Sequence, residues 1–409
     1  MRLNLSRSSL ITGRELVITG SKSESNRLLI LQALIPGISI ENLSNADDVE
    51  VMQRALSSEA DEVDIHHAGT AMRFLTAYFA STPGRVVTLT GSSRMKERPI
   101  GILVDALRSL GAEIDYLENE GYPPLRITGR RLKKKEVKVD AGISSQYITA
   151  LMLIGCRFSE GFKIRLNGEP TSVPYIRMTQ KLLQQAGVSC EFENNVIEVS
   201  PIPRNIEPRQ LTVESDWSSA SYFFSMIVMS PVGTRISLRS YRAGSLQGDS
   251  ALVGIYKNFG LRATFDNHNL NLEKIAEPKH KTITLDLVNT PDIAQTIAVT
   301  CLGLGLDCYL EGLHTLKIKE TDRLEALKVE IEKFGGKVDL TNRSLELQSP
   351  QEISGGATVA TYNDHRMAMA FAPLALKTDL TIEDAEVVSK SYPDFWTDLS
   401  DLGMQWKSD

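Results

Sequence analysis

Six times along this chain a short polar, hydroxyl-rich stretch gives way to an almost wholly apolar run. Gly20-Ser-Lys-Ser-Glu-Ser-Asn-Arg27 leads into residues 28–34, and Ala68-Gly-Thr-Ala-Met-Arg73 into 74–80. Ser144-Ser-Gln146 leads into 147–155, Ser218-Ser-Ala-Ser221 into 222–229, Asp292 into 293–299 and Asp364-His-Arg366 into 367–372. Ser, Asn and Asp favour N-cap positions, and an apolar run of about ten residues with no polar face predicts a buried helix. The N-terminus of such a helix carries unsatisfied N–H groups and partial positive charge, which suits anions. Each apolar run is followed by a turn and a short β-rich segment, such as Ile38-Ser-Ile40, Val86-Val-Thr-Leu89, Phe162-Lys-Ile-Arg-Leu166 or Leu380-Thr-Ile382.

A second pattern lies between these units. Amphipathic segments stop at Gly111, Gly187, Gly260, Gly335 and Gly403 and hand over to strand-like runs. Glycine after a helix takes the left-handed conformation without a Cβ clash, so each stop is explained. The spacing is a period of about seventy residues, longer than that of the common solenoid repeats. Ala60 stands where a sixth glycine would fall, in a shortened copy. The expectation is six α/β units, and a chain of 409 residues divides most simply into two domains of three units each.

Charge and cysteine usage narrow the function. A formal net charge of −6 speaks against general nucleic-acid binding, which requires a basic face. The most basic run, Arg130-Arg-Leu-Lys-Lys-Lys135, reads as a solvated turn between strands. The remaining cations recur at the helix starts and in Lys317-Ile-Lys-Glu-Thr-Asp-Arg323, which in an acidic protein points to a focused anionic pocket. Cys156, Cys190, Cys301 and Cys308 lack Cys-x-x-Cys spacing and read as free thiols of a reducing compartment. With no signal-peptide pattern and no run of membrane-spanning length, the expectation is a cytoplasmic protein without a membrane partner.

Several chemistries lose ground on spacing. Asp364 and His365 are sequence neighbours and poorly placed for a serine triad. His66-His67 lacks a third ligand at metal spacing, so no metal is expected. Neither a Gly-x-x-x-x-Gly-Lys-Thr loop nor a Gly-x-Gly-x-x-Gly turn occurs, so no nucleotide cofactor is expected. Asp292 at a helix start and Glu320, flanked by cations, remain as a pair able to divide acid and base roles. From residue chemistry alone the reading is a transferase or lyase acting on a small phosphorylated polyanion.

The ordered motifs Gly20-Ser-Lys-Ser-x-Ser-Asn-Arg27, Ala68-Gly-Thr-Ala-Met-Arg73, Arg94-Met-Lys-Glu-Arg-Pro-Ile100, Ser144-Ser-Gln146, Pro174-Tyr175, Lys319-Glu-Thr-Asp-Arg323, Asn363-Asp-His-Arg-Met-Ala368 and Lys390-Ser-Tyr-Pro-Asp394 resemble one family almost end to end. It is 3-phosphoshikimate 1-carboxyvinyltransferase, or EPSP synthase. The resemblance implies a two-domain inverse α/β barrel of six βαβαββ-type repeats, three per domain. One domain would span 14–215 and the other 1–13 with 216–409, the active site lying in the cleft between them.

Carried over by motif, the shikimate 3-phosphate side would comprise Lys22, Ser23, Arg27, Ser144, Ser145, Gln146, Ser172, Asp292 and Lys319. The phosphoenolpyruvate side would comprise Lys22, Gly69, Arg94, Gln146, Arg323, Arg366 and Lys390. Gly69 would leave room for close approach of ligand to backbone. The implied reaction adds the 5-hydroxyl of shikimate 3-phosphate to C2 of phosphoenolpyruvate as C3 is protonated, then eliminates phosphate. Asp292 would take the hydroxyl proton, with Glu320 and Lys22 handling the proton at C3. Arg94 is expected at the ligand, and Arg98 in a structural ion pair. The resemblance implies a monomer that needs no cofactor.

Three departures bear on this. His67-Ala-Gly-Thr70 replaces the family's usual Asn-Ala-Gly-Thr, Thr315 replaces a common substrate-binding Asn, and the segment from Arg54 to His67 is short. Two alternatives stay open: UDP-N-acetylglucosamine 1-carboxyvinyltransferase, whose catalytic loop usually carries a cysteine absent from Gly91-Ser-Ser-Arg-Met-Lys96, and a non-catalytic polyanion-binding descendant.

Overall fold

The computed structural model describes residues 1–409 apart from Ala141 and Ile143. The described chain divides into a contiguous unit, Gly20–Val213, and a split unit, Met1–Thr19 with Glu214–Asp409. The strand Arg14–Leu16 pairs in parallel with Arg235–Leu238. Residues 14–19 therefore pack with the split unit, although the sequence boundary at 14 assigned them to the other domain. At the second crossing Glu214 and Ser215 likewise fall in the split unit, and Ser215 donates to Ile18 O at 2.7 Å.

Five sheets repeat one strand order. In the contiguous unit Glu62–Asp64 lies parallel to Val86–Thr90, and Leu125–Thr128 and Glu113–Tyr116 continue the sheet antiparallel. The helix Gly69–Ala80 crosses between the two parallel strands, as a parallel pair requires, and Gly101–Ser109 carries the chain to the antiparallel hairpin. Glu136–Asp140, Phe162–Asn167, Val196–Val199 and Cys190–Glu193 repeat the order. In the split unit it recurs from Arg14–Leu16 and from Thr282–Asp286. It recurs once more from Ala357–Val359, whose antiparallel pair is Leu3–Ser6 with Gln405–Ser408, strands from opposite ends of the chain.

The sixth copy is incomplete. Ile38–Glu41 pairs with Arg209–Thr212 and the sheet ends there. After the helix Asp47–Ser57 the chain enters the next strand, Glu62–Asp64, within a few residues, too few for a hairpin.

Within each unit the crossover helices are the apolar runs. Lys22–Leu34, Gly69–Ala80 and Ser145–Gly155 pack on one another in the contiguous unit. In the split unit Ala294–Leu304 packs against both Trp217–Met229 and His365–Phe371. The strands alternate buried and exposed residues, so the sheets cover the helices on one face and meet water on the other. Gly111, Gly187, Gly260, Gly335 and Gly403 all have positive φ, as their role in ending helices requires. The segment before Gly260 differs from the amphipathic helix expected there. It is a 3-10 turn, Gly248–Ala251, a single α-helical turn, Leu252–Ile255, and a second 3-10 turn, Tyr256–Phe259. All four cysteines are buried and free. No helix of the described residues is long and apolar enough to cross a membrane.

Candidate active site

In the contiguous unit the helix starts carry the polar groups. Ser21 caps the helix Lys22–Leu34 by accepting from Glu24 N, and Ser144 caps Ser145–Gly155 by accepting from Gln146 N. Ser172 precedes Val173–Gln185 with a left-handed φ of 53°. Arg27 joins three of these helices. Its Nη1 donates to Ser23 O at 2.7 Å, Nε to Thr179 Oγ1 at 2.9 Å and Nη2 to Thr149 Oγ1 at 3.4 Å. The guanidinium carbon lies 5.5 Å from the Phe74 ring centre and 5.7 Å from that of Tyr175. Burial lowers its pKa to about 10, with Tyr175 and Glu24 opposing the shift, so it stays charged at neutral pH. Gln146 Nε2 reaches Thr70 Oγ1 at 3.5 Å, which brings in the helix that Gly69 starts.

Lys22 Nζ lies 3.1 Å from Asp48, and His67 Nε2 lies 3.8 Å from the other oxygen of that carboxylate. The replacement at His67 therefore faces the same group as the lysine. His66 and His67 approach through their Nδ1 atoms at 2.7 Å. Gly69 lies against two arginines: a Cβ there would sit 2.6 Å from Arg98 Nη1 and 2.9 Å from Arg73 Nη1. Arg98 is buried at 8% exposure. Arg94 is different, since its side chain is 46% exposed and pairs with Glu97 at 2.9 Å.

The split unit carries a network of opposite charges. Arg323, on the helix Arg323–Glu332, is 1% exposed. Its Nε reaches Asp364 at 2.6 Å, its Nη1 Asp292 at 3.0 Å and its Nη2 Glu320 at 2.7 Å. Asp292 also takes Lys319 at 3.3 Å and, through its second oxygen, Arg366 at 3.3 Å. Three cations thus meet three carboxylates, and the planar fork of Arg323 lets one side chain satisfy three acids. A buried charge needs this, because an unpaired one would cost several kcal/mol. Asp364 caps the helix His365–Phe371 by accepting from Arg366 N, which aims Arg366 at the network. Lys390 Nζ donates to Asn363 O at 2.7 Å, next to that cap.

Burial tends to raise the Asp292 pKa, but Lys319, Arg366 and Arg323 together outweigh it and hold the carboxylate well below its usual range. Burial lowers the Lys319 pKa, with Asp292 and Glu320 opposing. Burial also tends to lower that of Arg323, yet Asp364, Glu320 and Asp292 carry it above the usual value. The result is an ionised Asp292 that is a weak base until something draws its cations away.

The EPSP synthase (3-phosphoshikimate 1-carboxyvinyltransferase) family model matches residues 53–399. A 3-phosphoshikimate 1-carboxyvinyltransferase of Bacteroides fragilis (strain YCH46) is 44% identical over 391 residues, 94% of each chain. The chain belongs to the EPSP synthase family. A relative of the same name from Vibrio vulnificus (strain YJ016) is 36% identical over 419 residues, covering 95% of this chain and 96% of its own. The solved EPSP synthase of Acinetobacter baumannii superposes with a TM-score of 0.81 over 100% of both chains at 19% identity. The enolpyruvyl transferase NikO of Streptomyces tendae gives 0.77 at 13% identity over 99% of this chain and 98% of its own. At these identities the two structures speak for the enolpyruvyl-transferase fold.

Against the site residues drawn from the family motifs, the structure brings Asp292, Lys319, Glu320, Arg323 and Arg366 into one network. Lys22, Ser23, Arg27, Gly69, Ser144, Ser145, Gln146 and Ser172 fall at helix starts of the contiguous unit. Of the two arginines in the Arg94–Ile100 motif, Arg94 is exposed and paired with Glu97, whereas Arg98 is buried beside Gly69. Tyr147 donates to Pro99 O at 2.6 Å, which fixes the backbone next to Arg98. Asp48 and Asp364 had not been singled out as site residues. Asp364 had a signal, an N-cap residue ahead of an apolar run, whereas Asp48 had only a place in an acidic first turn.

Proposed function

We propose that this EPSP synthase family member transfers the enolpyruvyl group of phosphoenolpyruvate to the 5-hydroxyl of shikimate 3-phosphate, giving 5-enolpyruvylshikimate 3-phosphate and phosphate. The observation that carries the reading is the family match over most of the chain, with Asp292, Lys319, Glu320, Arg323 and Arg366 of the split unit joined in one network. In this reading the shikimate 3-phosphate side comprises Lys22, Ser23, Arg27, Ser144, Ser145, Gln146, Ser172, Asp292 and Lys319. Arg27 is suited to a phosphate because its hydrogen bonds go to neutral oxygens and leave its charge unneutralised by them. The phosphoenolpyruvate side comprises Lys22, Gly69, Gln146, Arg323, Arg366 and Lys390. Arg98 takes the place that the motif gave to Arg94, because a guanidinium against Gly69 can present its fork to a ligand at the helix start.

The chemistry follows from the charges. Anionic groups of the substrates compete with Asp292 for Lys319, Arg323 and Arg366, and each cation drawn away makes Asp292 a stronger base. Asp292 then takes the proton of the attacking hydroxyl. Lys22 and Glu320 serve the proton that C3 gains on addition and returns on elimination, and the C2–O bond to phosphate breaks. The four buried thiols favour action in the reducing cytoplasm.

Incubation with both substrates should release phosphate and give the vinyl ether by proton NMR. Release with UDP-N-acetylglucosamine in place of shikimate 3-phosphate would instead support the sister activity. No release with either acceptor would favour a binding protein.

A further inference from the structure

One carboxyl group beside the split unit's network is outside its pairing. Asp249 lies in the 3-10 turn Gly248–Ala251 and is buried. Its Oδ2 accepts from Ser218 Oγ, and Ser218 Oγ in turn accepts from Arg366 Nη2 at 3.4 Å. Its Oδ1 is buried without a hydrogen-bond partner among the described residues. With Asp292, Glu320 and Asp364 already matched to Lys319, Arg323 and Arg366, it is a fourth acid in a balanced set.

The groups facing it come from three elements. Asp292, in the turn Pro291–Ile293, and Asp216, which caps the helix Trp217–Met229, repel its charge. Arg366, on the helix His365–Phe371, attracts it. Burial is the largest influence, Asp292 adds to it, and Arg366 and the Ser218 hydrogen bond oppose, with the acid pushed up to about 7.

We propose that Asp249 is a proton-linked positioning residue for Arg366: ionised, it restrains the arginine through Ser218, and it takes up a proton from solvent when an anion binds there. When Asp249 is ionised, the Ser218 hydroxyl hydrogen is committed to it and the hydroxyl oxygen to Arg366. Once protonated, Asp249 can itself donate to Ser218 Oγ, and Ser218 can turn its hydrogen toward the incoming anion. An anion adds negative charge beside Asp249 and so favours the protonated form. The sign of the linkage follows. Below about pH 7 the proton is already present and binding costs nothing extra. Above it the proton must be taken from solvent, and anion affinity falls by up to tenfold per pH unit until the acid of the complex also ionises.

That the natural anion is phosphoenolpyruvate rests on the proposed function, but the linkage can be read without turnover. Sulfate keeps its charge across the neutral range, and calorimetric titration of the whole chain gives its Kd. From about pH 6 to 8 that Kd should rise about tenfold in the wild type. In Asp249→Asn the rise should shrink to about twofold or less. Ser218→Ala removes the bridge through which ionised Asp249 restrains Arg366, so its rise in Kd over the same range should also be smaller than that of the wild type. Titrations in two buffers of different ionisation enthalpy should show proton uptake by the wild type, an observation that needs no variant to fold. A flat wild-type profile, or an unchanged slope in Asp249→Asn, overturns the proposal. A wild-type profile in Ser218→Ala overturns the part assigned to Ser218. Failure to transfer enolpyruvyl with the linkage intact would count only against the proposed function.

Discussion

The two units hold their arginines in opposite ways. Arg27, in the contiguous unit, is held by hydroxyls, a carbonyl and the faces of two rings. Arg323, in the split unit, is held by three carboxylates. Both are buried, but neutral oxygens leave positive potential available to a ligand, whereas carboxylates cancel it until a ligand competes. The first arrangement suits a standing anion site. The second suits a site whose acid–base character changes when it is filled, which is what a carboxylate needs if it is ionised and passive at rest and basic during reaction.

The largest test of this contrast is Asp292→Asn, which keeps the shape of the group that Lys319, Arg323 and Arg366 share and removes its charge. Turnover should fall by roughly 10²–10⁴-fold at saturating substrates. A variant keeping more than about a tenth of the wild-type rate would move the base role to Glu320. Next comes Asp364→Ala, which leaves Arg323 without the partner of its Nε. Removal of one member of a buried pair should cost about 3–5 kcal/mol in denaturant unfolding. A loss below about 1 kcal/mol would show that Asp292 and Glu320 suffice to hold the guanidinium.

Arg98 and Arg94 compare a buried and an exposed arginine within one loop. Arg98→Lys should weaken phosphoenolpyruvate binding in the presence of shikimate 3-phosphate by roughly 1.5–3 kcal/mol, and Arg94→Lys should change it little. Equal losses would erase the distinction drawn from their burial. The smallest effect is expected for Ser144→Ala, which removes a cap from a helix of the hydroxyl-lined unit. It should lower stability by about 1 kcal/mol with turnover changed less than in Asp292→Asn, as thermal melting and initial rates would show.

Much of this was legible in order along the chain, because helix starts and stops are local events. The polar caps before apolar runs marked the inner helices, and the terminal glycines marked where the outer segments end. The fold boundaries were less legible. Arg14–Leu16 has no local feature tying it to Arg235–Leu238; that pairing is settled only when the distant strand arrives. The segment before Gly260 misled because apolar spacing says which side is buried, and a broken series of 3-10 turns can bury the same side as a helix. In the site, Arg94 and Arg98 share charge and shape, so only burial separates them. Asp249 had no signal at all, since a lone acid in Gln247-Gly-Asp249 looks like any surface turn.

The strand Gln405–Ser408, which completes the last sheet, is paired with Leu3–Ser6. Synthesis therefore delivers the two units on different schedules. Gly20–Val213 is fully available once Val213 has left the ribosome, while the rest of the chain needs on the order of tens of seconds more. Over that interval Leu3–Ser6 has emerged without either neighbouring strand, and its backbone edge must wait unpaired. Short length, the polar positions Asn4 and Ser6, and the charge of Arg7 just beyond are features that disfavour pairing of such an edge with another strand.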